Sequence, residues 1–321
     1  MARSLRALLL AGLLAGLPAA GGEVARADAV GGAAHPPTAE ALAQVAAVRA
    51  AVERYRDFDA AIADGWYPFG GEEALVGQHF HHDDAPDYVA GDALDFAQPT
   101  HLMYATVAGE RVLTGVTFGV RLGPGEAVPE GFAGAADDWH VHDLDRVVEV
   151  GMADRPIIRL ITQLWLDWWH PSGRDGRRRR AMLHVWVNVE NPDGPFALQN
   201  PALAYLQHGL DPALAVGRDD AVARGLALAL EGGCRRVYGP RLEVAMARGR
   251  QMRAILGDCE VEAGRIREAL ATGGIDGAAP VAARAARRMA ELYWLTLDAD
   301  QHDRVGAMAD HGDAFCTPET S

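Results

Sequence analysis

Apolar positions follow three successive rhythms along this chain. Thr38 can cap a helix whose apolar residues, Ala41, Val45, Val48, Val52, Tyr55 and Ile62, recur every three or four positions, until Asp64-Gly65 stops it. From about residue 75 to 205 the period changes to two. Residues 101–107 and 111–121 flank Ala108-Gly109-Glu110, and Val112, Thr114, Val116, Phe118 and Val120 share one face, which predicts a β-hairpin. Trp139-His-Val-His142 and Leu183-His-Val-Trp-Val187 alternate in the same way, whereas Ile157 to Trp169 is apolar enough for either strand or helix. After about residue 215 the stripe is helical again, through Leu242, Met246, Gly249, Met252, Leu256, Cys259, Ala263, Ile266 and Leu270. Gly273-Gly274 breaks it, Pro280 opens a further helix, and Asp298 with Gln301 makes a capping box for a last short one.

These rhythms predict an α+β chain. An N-terminal helix leads into an antiparallel β module, with a barrel as one way for it to close, and a C-terminal helical hairpin or bundle follows. The expected divisions are a signal peptide at 1–27, a flexible Gly/Ala/Pro-rich start at 28–37, a His-rich α+β module at 38–210 and a helical domain at 215–316.

Charge and export change the picture next. Arg3 and Arg6 precede the apolar run Ala7 to Leu17, which is too short to span a bilayer, and Ala25-Arg26-Ala27 is a small-x-small cleavage site. A periplasmic or secreted protein without a transmembrane anchor is expected. Removing 1–27 takes away three Arg and one Glu and deepens the net charge from −14 to −16, which disfavours nucleic acid and anionic membranes as partners. All 30 basic residues are Arg, so Schiff-base and P-loop lysines are excluded. An oxidising compartment permits one disulfide among Cys234, Cys259 and Cys316 and leaves one thiol over. Arg174 and Arg177 to Arg180 read as a solvated turn between strands.

The chemistry lies in the histidines. Side chains two apart on a strand face the same way, so His140 and His142 point to one side, as do His79 and His81 if that segment is extended. With His82 and His184 they offer an imidazole set for a first-row transition metal, copper or zinc ahead of iron. The metal ligands expected are therefore His140, His142, His79, His82 and His184, with Asp83, Asp84 and Asp143 as nearby carboxylates. His101, His170 and His208 read as structural or surface residues. Trp165, Trp168 and Trp169, and the helical methionines Met246, Met252 and Met289, read as core.

Three resemblances bear on this. The order His140-x-His142, Glu149, Gly151, Pro171-x-Gly173, His184 resembles the two cupin metal motifs, although Glu149 stands too far from the pair and an Arg-rich insertion stretches the second motif. Arg54 to Pro68, Gly77-Gln-His79, Pro99 to Tyr104 and His184 to Pro201 resemble a widespread family of exported bacterial proteins of unassigned activity, over about 50–205. Members carry a His-x-Trp stretch running into Asn-Pro-x-Gly-x-Phe and a closing Asn-Pro. This chain inserts 143–182 between its two histidine groups. Leu297-Asp298-Ala299-Asp300-Gln301 is similar to the Leu-Thr-x-x-Gln element of periplasmic helical-hairpin proteins of metal resistance and envelope stress. That likeness implies metal sensing or a holdase with an envelope protein partner on the C-terminal helices, and makes His302 and His311 candidate weak metal contacts.

The expected function is thus an exported metal-binding or metal-sensing protein. A metal-dependent enzyme on the same scaffold, with Asp83, Asp84 or Glu149 as base, is the first alternative. A non-metal envelope chaperone or structural protein is the second.

Overall fold

A computed structural model describes residues 36–123, 125–152, 156–169, 178–245, 250–308 and 313–316. The expected signal peptide and most of the expected flexible start lie outside these residues, as do His170, His311, Arg174, Arg177, Met246 and Gly249. Among the described residues no helix is long and apolar enough to cross a membrane.

Helix α1 (Ala39–Val52) begins where Thr38 Oγ1 accepts the Ala41 amide at 3.0 Å, and buries Ala41, Val45, Val48 and Val52. The expected single helix is in fact two. A 3₁₀ turn at Glu53–Arg56 intervenes, and the Asp57 carboxylate caps α2 (Phe58–Asp64) by accepting the Asp59 and Ala60 amides. A strong cap resets the helix there, which leaves Ile62 facing solvent.

Among the described residues seven strands follow: β1 (Tyr67–Glu73), β2 (Gly77–His81), β3 (Tyr88–Val89), β4 (His101–Val107), β5 (Glu110–Leu122), β6 (His140–Asp143) and β7 (Arg179–Trp186). They form one curled half-barrel in the order β1-β2-β4-β5-β7-β6, antiparallel throughout except that short β3 adds parallel to β5. The β4–β5 hairpin turns on Ala108 and Gly109 alone, both at positive φ, so Glu110 pairs with Val107 and belongs to the strand. One sheet face carries Phe80, Leu102, Tyr104, Val116, Phe118, Leu183 and Val185, and packs on α1.

Between β6 and β7 the chain makes α3 (Leu144–Gly151) and α4 (Pro156–Trp169), so the ambiguous 157–169 run is helical. Arg178 holds this pair in place. It is 5% exposed, donates to Asp145, to Asp167 at 2.9 Å and to the Gln163 side chain at 2.7 Å. The expected solvated arginine turn is therefore corrected: Arg178 is a buried clamp, and Arg179 and Arg180 open strand β7. Trp165 packs partly buried on the small α3–α4 core.

The C-terminal helices are α5 (Ala202–Gln207), α6 (Asp220–Ala229), α7 (Gly233–Ala245), α8 (Arg250–Leu295), α9 (Ala299–Met308) and α10 (Asp313–Cys316). Gly274, at φ 58°, folds α8 back on itself. Glu262 on the first arm accordingly reaches Arg288 on the second at 3.0 Å. Gly225 of α6 lies so close to the second arm that a Cβ there would meet the Ala282 carbonyl oxygen at 2.2 Å. The Asp298–Gln301 capping box forms, each side chain accepting the other's amide at 2.9 Å. One core runs from Met103 and Trp186 of the sheet to Leu226, Cys259 and Met289, so the helical part packs directly on the β module. Cys234 and Cys259 form a disulfide, and Cys316 is the thiol left over.

Candidate functional site

Strand register brings the histidines together. His81, His101, Thr117 and His184 stand opposite one another across β2, β4, β5 and β7, with Tyr67 of β1 at the end of the row. The next row runs Phe69, His79, Met103, Gly115, Trp186. Gly119, Met182 and His140 form a third, and Arg121, Arg180 and His142 a fourth. All four rows face away from α1, so the concave face presents six imidazoles.

The curl makes them converge. His79 and His184 lie three strand steps apart, which on a flat sheet is about 14 Å. Their Nε2 atoms are 3.3 Å apart. Gly115 and Gly119 on the central strand permit this. A Cβ on Gly115 would stand 2.6 Å from the Val185 carbonyl oxygen and 2.7 Å from Met103 Cε. The rings then follow one another without a break: His81 to His101 at 5.2 Å, His101 to His79 at 5.8 Å, His79 to His184 at 5.3 Å, His184 to His140 and His140 to His142 at 5.0 Å each. Helices α3 and α4 lie between β6 and β7 in the chain, and β6 still pairs with β7, so both histidine groups share the site.

Hydrogen bonding fixes which nitrogen carries a lone pair in His184 and His101. His184 Nδ1 lies 2.8 Å from the Leu198 carbonyl oxygen, which only accepts, so Nδ1 carries the proton and Nε2 the lone pair. Leu198 is placed by the Asn-Pro-rich segment, which folds back along β7. Trp186 Nε1 donates to Ala197 O at 2.7 Å, and the Asn200 amide donates to Leu75 O at 2.8 Å. His101 is settled the same way. Thr100 Oγ1 donates to Thr117 O and accepts the Gly119 amide, which leaves it an acceptor for His101 Nδ1–H at 2.9 Å.

His82 is different. Its Nε2 donates to Asp64 O at 2.8 Å and its Nδ1 accepts the Asp84 amide at 3.0 Å, so both nitrogens are held by backbone and the ring packs on Trp66. The structure does not bring it to the other histidines. Asp83 accepts the Tyr67 hydroxyl at 2.9 Å, and its charge bears on His81.

Burial dominates the electrostatics. It pushes His101 well below the ordinary histidine range and lowers His81, and in both the Arg180 charge acts next in the same direction. Arg180 itself is pushed down to about 10 by burial. Among the described residues, no three His, Cys, Asp or Glu side chains stand ready to hold one metal ion.

Of the residues expected from the sequence, His79, His184, His140 and His142 come together. His101, Met103, Met182 and Arg180 join them, having been missed. Pairing His101 with His81 across strands was the signal that could have found the first. His208 and His302 are structural, bonded to the Leu226 and Trp294 carbonyls. No family model matches the chain, and no curated protein or solved structure does so.

Proposed function

We propose that this chain is an exported protein that binds a first-row transition metal, copper ahead of zinc, in its half-barrel. His79 and His184 are the primary ligands, and His140 is the next imidazole along. The carrying observation is the 3.3 Å between His79 Nε2 and His184 Nε2. Two nitrogens on one tetrahedral ion at about 2.0–2.1 Å stand about 3.3 Å apart. The Leu198 carbonyl holds His184 in the tautomer a ligand needs, as second-shell partners of metal-bound histidines do. Met103 pairs with His79 and Met182 with His140 across strands, and thioethers beside imidazoles favour copper. The Cys234–Cys259 disulfide suits an exported protein.

The same distance also suits an N–H···N hydrogen bond, and metal content separates the two. The protein purified without a His tag or chelator should carry close to one ion per chain. His184→Ala should lose it and His82→Ala should keep it. No metal in the wild type, even after incubation with copper, zinc or ferrous iron, overturns the reading.

A further inference from the structure

The concave face carries the His79–His184 geometry twice. His81 and His101, paired across β2 and β4, have ring centres 5.2 Å apart and planes inclined by 40°. For His79 and His184 the values are 5.3 Å and 44°. Two imidazoles on one tetrahedral ion at about 2.0–2.1 Å put their ring centres about 5.2 Å apart. The nitrogens of the second pair are prepared as well. Thr100 Oγ1 takes the Nδ1 proton of His101 at 2.9 Å, so its Nε2 holds a lone pair, as that of His184 does. His81 Nδ1 is buried and has no hydrogen bond among the described residues, so the proton that the Thr100 carbonyl favours on this ring belongs to Nε2. Thr117 stands between His101 and His184 in the same row. It is 0% exposed, and its hydroxyl also bonds nothing among the described residues. A buried hydroxyl without a partner costs stability, and a solvent oxygen bound to a metal beside it supplies one.

We propose that His81 and His101 hold a second copper ion beside the one on His79 and His184, which makes the half-barrel a two-ion centre. This second site rests on the metal reading above. His79 and His101 join the two pairs, with ring centres 5.8 Å apart. Each ion takes two imidazoles from the protein and completes its shell with solvent, for which the Thr117 hydroxyl is the hydrogen-bond partner. The second ion is the more weakly held, because His81 is the most exposed of the four rings.

The test is metal analysis of the full chain after loading with excess cupric ion and desalting, with the copper EPR spectrum recorded. The wild type should rise from one ion per chain as purified to two, and each ion should broaden the other's spectrum. His101→Gln should stay at one ion on loading and give a sharp single-ion spectrum. His184→Ala should lose the ion retained on purification yet still take one on loading, and the double variant should take none. His81→Ala should also stay at one ion, and decides the matter if His101→Gln does not melt cooperatively. One ion in the loaded wild type that only His184→Ala removes overturns the second site and leaves the metal reading standing. Two ions that persist in both His101→Gln and His81→Ala place the second ion elsewhere and overturn it too. No ion in any form overturns both readings.

Discussion

Replacing Gly115 by Ala should destabilise the protein, while the same replacement at Gly71 should not. Gly115 faces the concave side of β5, and its added Cβ would stand 2.6 Å from the Val185 carbonyl oxygen. Reaching the 3.4 Å of ordinary contact requires a shift of 0.8 Å in the backbone of β7, which a packed sheet does not give freely. Overpacking of this kind costs about 1–3 kcal/mol, against about 0.4–1 kcal/mol gained by restricting the unfolded chain. A net loss of about 1–2 kcal/mol is expected. Gly71 in β1 has nothing within 4 Å of its added Cβ, so only the gain applies there. Urea denaturation of both variants measures this, provided the dependence on urea stays constant. The shift also carries His184 away from His79, so Gly115→Ala should bind metal at least tenfold more weakly. If Gly115→Ala proves as stable as Gly71→Ala and binds metal as the wild type does, the glycine-dependent curl is wrong.

Other consequences are measurable on the same protein. The Cys234–Cys259 bridge spans 25 residues, and its reduction should cost about 3 kcal/mol by loop-closure entropy, read as a lowered melting temperature in reductant. His101 and His81 have folded pKa values below their unfolded ones, so as pH falls below about 6.5 the unfolded chain takes up protons first. The metal-free protein should therefore lose stability between pH 7.5 and 5.5, by about 1 kcal/mol for a fully neutral His101, and His101→Gln should flatten that slope; a slope of opposite sign would refute it. Arg178→Ala leaves Asp145 and Asp167 without their shared cation. Its effect should be local, seen as protease cleavage within 144–169 at an almost unchanged melting temperature, and protection equal to the wild type would contradict the clamp.

How far the sequence reached depended on the range of the forces involved. Local signals were legible: the Thr38 cap, the Ala108-Gly109 turn, the Gly274 break and the Asp298–Gln301 box each act within four residues, and each appears where the pattern puts it. Period-two alternation likewise placed His140 and His142 on one face. The register between strands was not legible, because it depends on which strands become neighbours. His101 therefore read as structural, although it sits opposite both His81 and Thr117. The arginine run misled for a related reason. Four adjacent arginines look solvated, yet Arg178 finds two carboxylates on the helical pair between β6 and β7, and Arg180 finds a glycine seat on the next strand.

The segment His79-Phe-His-His82 shows why residue type alone does not identify a ligand. His79 and His81 follow the pleat into the half-barrel, and Phe80 between them goes to the opposite core. His82 falls just beyond the last paired residue of β2, where the chain turns. There its ring serves the turn, by donating to Asp64 O and accepting from the Asp84 amide. A lone pair already spent on a backbone amide is not available to a metal, whereas the Leu198 carbonyl takes only the Nδ1 proton of His184 and leaves its Nε2 facing His79. The Asn-Pro segment after β7 thus does for His184 what the 82–84 turn undoes for His82. Moving that segment, for example through Asn200, whose side chain bonds Val189 O at 3.2 Å and the Ala202 amide at 3.0 Å, should impair the site without touching a histidine. Asn200→Ala should therefore lower metal affinity while leaving all six imidazoles in place. Wild-type affinity in that variant would mean that the Leu198 carbonyl is not what prepares His184.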